Sequence, residues 1–173
     1  TLASVENVEL KAFNAQTFNA ANTTGLKSFT NNGSVATITV TNLADIVDLT
    51  VSGVTGNTTS LNYLAGAATT TSDTQKITVS GASNDHQIDF NSGTASIENF
   101  EITSSGSANS VDLTDVAGMT SLKVSGDQAL KLNFTNTVNG LTSVDTTAAT
   151  GAMTLDLSTN VGATNMTVKT GTA

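Results

Sequence analysis

Cysteine, proline, tryptophan and arginine are all missing from this chain of 173 residues. Without cysteine no disulfide can staple the fold, which is compatible with export, because a large stack of strands does not depend on disulfides. Without arginine, and with six lysines against fourteen acidic residues for a net charge of −8, the chain is a poor ligand for nucleic acid. Such binding needs a cationic stripe to release counterions and planar guanidinium forks to read bases. Aromatic residues are few, six Phe and one Tyr, which leaves none for a ligand-stacking platform. Charged residues make up only 12%, against about 25% in average soluble domains, so polarity at the surface falls to Thr, Ser and Asn. No apolar run approaches the roughly 20 residues of a membrane-spanning helix, and membrane insertion is not expected. An acidic, weakly charged surface of this kind suits an extracellular protein or one that takes up divalent cations.

What the chain does have is threonine, its commonest residue, together with Val and Ile, whose branched side chains favour strands. It also has a period. Phe100-Glu101-Ile102, Leu122-Lys123-Val124, Val144-Asp145-Thr146 and Met166-Thr167-Val168 recur at i, i+22, i+44 and i+66. Half a period away runs a second series: Ile88-Asp89-Phe90, Val111-Asp112-Leu113, Leu132-Asn133-Phe134 and Leu155-Asp156-Leu157. Alternation of apolar and polar residues marks strands with one buried face. Two strands per unit, stacked unit on unit, describe an all-β, right-handed parallel β-solenoid, the hand being the usual one for parallel crossovers.

The N-terminal half follows the same plan with looser spacing. Ala3–Leu10 returns almost intact as Ala95–Ile102, and Gly25–Phe29 returns as Gly118–Leu122 and Gly140–Val144. Rungs are expected at 4–25, 26–45, 46–66, 67–95, 96–118, 119–140 and 141–163, with a partial one from 164. About eight rungs of roughly 22 residues make a rod on the order of 40 Å long at ~4.8 Å per rung. The long fourth rung carries Thr69–Thr74, a polar stretch expected to loop outward, and Ser52-Gly53, Ser80-Gly81 and Ser125-Gly126 read as corners. The core columns predicted from the period are Phe100/Leu122/Val144/Met166 and Val111/Leu132/Leu155.

Two outward columns are candidates for chemistry. Glu101, Lys123, Asp145 and Thr167 form a ladder whose first three charges alternate, unless they are unrelated solvated side chains. Asp89, Asp112, Asn133 and Asp156 form the other. Stacked carboxylates repel, and a Ca2+ ion taking six to eight oxygens would relieve them. Asp89, Asp112, Asp115 and Asp156 are therefore the candidate metal ligands, with the Asp45/Asp48 pair as a further source of oxygens. The bland alternative is that these are ordinary turn and ladder residues. The glycine-rich nonapeptide of calcium-loaded repeats does not occur. No catalytic residues emerge. His86 is the only histidine, expected on a surface loop, and Glu98 and Glu101 point to opposite faces of a strand.

The pairing of Ser-[Val/Ile]-Glu-Asn-[Val/Phe]-Glu-[Leu/Ile], at Ser4–Leu10 and Ser96–Ile102, with Gly-[Leu/Met]-x-Ser-[Leu/Phe/Val] resembles the solenoid regions of bacterial surface-layer proteins. The likeness is to the calcium-dependent, type I secreted Gram-negative kind found in Caulobacter and Campylobacter. It implies an extracellular, cell-surface protein that is not an enzyme and that assembles with copies of itself into a two-dimensional coat. It also implies calcium as the cofactor and contact with cell-surface polysaccharide through other domains. The alternative is the stalk or binding module of a large secreted adhesin, which shares such repeats. Motifs cut at both ends, and a first residue that is not Met, suggest that residues 1–173 are a single solenoid segment of something longer.

Overall fold

The computed structural model describes residues 2–91, 96–162 and 165–171, and these form a parallel β-solenoid. One sheet of eight strands is built from Asn7–Leu10, Ser28–Asn32, Asp48–Ser52, Thr74–Ser80, Asn99–Ser105, Ser121–Gly126, Ser143–Ala149 and Thr167–Thr170. A second sheet of seven takes Gln16–Asn19, Ile38–Leu43, Thr58–Tyr63, His86–Asp89, Asn109–Thr114, Leu130–Phe134 and Met153–Leu155. Along the chain the strands alternate between the sheets, so each rung adds one strand to each, and about seven turns result. The end of the expected fourth rung, 92–95, lies outside the described residues.

Between the two ends of the stack each strand buries the face that its alternation predicts, while Thr167–Thr170 at the C-terminal end is exposed throughout. Val8, Phe29, Leu49, Ile77, Ile102 and Val124 stack in register up the eight-stranded sheet. Ile38, Thr59, Ile88, Leu113 and Phe134 do the same up the other. Between the sheets their side chains make one core, with Phe90 edge-on to Phe100 at 5.3 Å between ring centres. Burying these mid-sized side chains is the main stabilising term, about 1.5–3 kcal/mol for each one fully removed from water.

Corners are set by glycine where the sequence places them. Gly53 and Gly81 have φ of +59° and +71°, and Gly53 N–H donates to the carbonyl of Ser80, one rung on, at 2.9 Å. Gly126 has φ of +109° as the last residue of its strand, opposite Ser104, where a Cβ would also collide with the Ser104 carbonyl. Thr69–Ser72 are exposed as expected of an outward loop, and Asp73 pins its base by accepting from the Thr70 hydroxyl at 2.8 Å.

The period is less regular than the clean repeats suggest. The shortest rung carries the chain only from Ser28 to Asp48, and the longest from Thr58 to Gln87. At the C-terminal end this overturns one core assignment. The step from Asn139 to Val161 keeps the period, but the step from Ser143 to Thr167 exceeds it by two positions, so Val168 stands over Val144. Met166 is 41% exposed, outside the column predicted for it. Leu155 does stack on Leu132, but it is only partly buried.

Candidate functional site

The candidate site is the outward face of the eight-stranded sheet. Parallel pairing in register converts the sequence period into columns of like-placed side chains. Lys76 pairs with Glu101, Glu101 with Lys123, Lys123 with Asp145, and Asp145 with Lys169. Asp48 precedes Leu49, the partner of Ile77, and the same register sets it beside Lys76. The column thus reads Asp48, Lys76, Glu101, Lys123, Asp145, Lys169, with charge alternating at every rung. Sequence reasoning found its middle three members and misplaced the next. Thr167 lies one pleat away because the last rung is lengthened, and Lys169 takes its place. Lys76 was hidden by a spacing to Glu101 that is longer than the period.

Asp145 is held below the usual carboxylate range. The hydroxyl and the backbone N–H of Thr147 both donate to its Oδ1, at 2.6 and 3.0 Å, and the Lys169 and Lys123 charges add to the effect. Among the described residues the close ion pairs lie elsewhere, at Lys27–Glu6 (2.7 Å) and Lys131–Asp85 (2.8 Å). Two residues along each strand stands a neutral column: Thr30, Thr50, Thr78, Thr103 and Ser125. Its last two hydroxyls lie 3.1 Å apart.

The acidic column expected from Asp89, Asp112 and Asp156 does not form as one. The rung joining the two strands concerned runs from Gln87 to Asp112, three positions longer than the period. Asp89 therefore lies opposite Thr114, and Gln87 takes the place beside Asp112. Above Asp112 sits Asn133, whose Nδ2 donates to Asp112 Oδ1 at 2.6 Å. Asp156 accepts from the N–H of Ser158 at 3.0 Å, and the hydroxyl and N–H of Ser158, with help from Lys131, hold its carboxyl below the usual range. Asp89 and Asp115 do come together. Burial raises the Asp89 carboxyl above its ordinary value, against the Ser60 hydroxyl that donates to it, and the neighbouring Asp115 raises it further. Among the described residues Asp89 Oδ1 is buried without a hydrogen-bond partner. No three His, Cys, Asp or Glu side chains among the described residues converge on one point.

His86 is the clearest correction to the sequence reading. It begins a strand of the seven-stranded sheet, opposite Val111, and its side chain is fully buried rather than on a surface loop. Its Nε2 meets the Thr59 hydroxyl at 2.9 Å, and Asn31 Nδ2 donates to the same hydroxyl at 2.7 Å from across the core. Burial lowers the imidazole pKa to about 4.

Compared with known proteins, the chain matches no family model, no curated protein and no solved structure.

Proposed function

We propose that this solenoid is a structural segment of a bacterial surface layer, whose activity is the lateral assembly of a two-dimensional coat at the cell surface. The observation that supports this reading is the outward face of the eight-stranded sheet. A catalytic site gathers unlike groups at one point. This face instead repeats its groups rung by rung, charge in one column and hydroxyl in the next. Weak contacts repeated at a fixed interval add up over many copies, which is the requirement of a lattice.

Calcium belongs to the same proposal, and the residues fit it unequally. Asp89 suits a hard cation, since its Oδ1 is buried and unpartnered among the described residues, and the adjoining Asp115 adds a second carboxylate, one oxygen of which already accepts from Asn136 Nδ2 at 2.6 Å. Asp112 and Asp156 suit it poorly, since an amide, a hydroxyl and backbone N–H groups already satisfy them. The role assigned to the ion is to stiffen the stack. Calorimetry should register Ca2+ binding that Asp89→Asn weakens, and an equal affinity in the variant would remove these two residues from the proposal.

Electron microscopy of the purified protein with calcium and with a chelator tests the whole reading. Ordered sheets in calcium are expected. Dispersed single particles in both conditions at every concentration would contradict the coat and favour the adhesin stalk.

A further inference from the structure

We propose that the charged column is a self-complementary docking surface for a second copy of this chain, laid face to face with its stack running the opposite way. The inference rests on the assembly reading above and names the contact through which assembly occurs. Along the stack the column reads Asp48, Lys76, Glu101, Lys123, Asp145, Lys169, three acids alternating with three bases. Because the number is even, the order reversed is its own charge complement. A two-fold axis parallel to the strands, between the rungs of Glu101 and Lys123, brings Glu101 onto Lys123 of the second copy. It also brings Lys76 onto Asp145 and Asp48 onto Lys169, each pair occurring twice. The same axis preserves position along the strand, so the threonine column meets the threonine column.

The opposite arrangement is penalised. Two copies facing each other with stacks in the same direction would set Asp48 on Asp48 and Lys76 on Lys76, and like charges in an interface cost several kcal/mol. A one-rung slide in that direction restores opposite charges but makes five pairs instead of six and no longer closes on a two-fold axis, so the antiparallel arrangement uses the column fully. It also solves a problem of the whole chain. At a net charge of −8 two copies repel, yet this column is neutral and holds three of the six lysines. The close ion pairs of the described residues lie elsewhere, so the column's charges remain for an outside partner, except that Asp145 Oδ1 already accepts from Thr147 and leaves Oδ2 for the contact. Five rung steps of ~4.8 Å by a strand of ~20 Å present about 500 Å² per copy, near the lower limit of a specific interface. Such a contact is weak between two copies and sufficient when repeated in a lattice.

Sedimentation velocity of the 173-residue chain, over a concentration series at low and high salt, tests the proposal. Wild type should dimerise at low salt and dissociate as salt screens the charges. Glu101→Lys and Lys123→Glu should each weaken self-association by at least about tenfold, with the circular dichroism of wild type showing that both still fold. Mixed together they should associate again, because the lysines of one meet the carboxylates of the other. If wild type dimerises and neither variant changes it, this face is not the contact, while the assembly reading stands. If wild type stays monomeric at every concentration, the face does not hold a second copy and the inference falls, while the electron microscopy described above decides the assembly reading.

Discussion

At the scale of single residues, the core of this protein is more polar than an alternating pattern suggests. His86, Asn31, Gln75 and Asn109 are all buried. Asn109 is the best satisfied, its Oδ1 accepting from Ala82 N–H at 2.9 Å and its Nδ2 donating to Ser104 Oγ at 2.9 Å. His86 is not satisfied fully: its Nδ1 has no partner among the described residues. The imidazole therefore stays neutral in the fold, with a pKa lowered from 6.5 to about 4 by burial. Between those values the unfolded chain binds a proton that the native chain does not, so stability is fully present above pH 6.5 and drains as pH falls towards 4. The loss is ~1.4 kcal/mol per pH unit, roughly 3 kcal/mol in all. As the chain has one histidine, its ring resonances in an NMR titration are unambiguous; between pH 7 and 5 they should move by no more than about a tenth of the full titration shift, and a midpoint near 6.5 would place His86 at the surface. None of this was legible in the sequence. The run Ser83–Gln87 is polar, and the Thr59 that receives His86 lies 27 residues back, across a rung whose length the sequence did not reveal.

At the scale of strands, the alternation gave the inward and outward faces correctly wherever the period held, as from Phe100 to Leu122 to Val144. Register failed where loops changed length, at Asp89 and again after Val161. Turns are exposed and tolerate extra residues at little cost, so a rung can lengthen without disturbing its strands, and composition alone does not show by how much. The energetic consequence is testable in a urea titration. Leu132 is completely buried, and Leu132→Ala should cost about 2–5 kcal/mol. Leu155 stacks on it but is only partly buried, so Leu155→Ala should cost less than Leu132→Ala, and Thr71→Ala in the exposed loop less than about 0.5 kcal/mol. Equal losses at the three positions would mean that the rungs are not packed as described.

At the scale of the whole molecule, a chain without disulfides and with few aromatics gains its stability from repetition, each rung burying its apolar face against the next. The same repetition gives the surface its periodic columns, and the functional proposal depends on that spatial order. The absence of cysteine makes the order directly measurable, because spin labels attach only where cysteines are introduced. Glu9 and Ser125 are far apart in sequence, yet they stand at either end of the column through Thr30, Thr50, Thr78 and Thr103. Five steps of ~4.8 Å separate them by about 24 Å between Cα atoms. Double electron–electron resonance on a Glu9→Cys, Ser125→Cys variant should give one narrow distance distribution consistent with that separation, allowing for the label arms. A broad distribution, or a distance longer by about 10 Å or more than the stack and label arms permit (roughly two rungs at the spacing above), would contradict the parallel stack and the assembly face built on it.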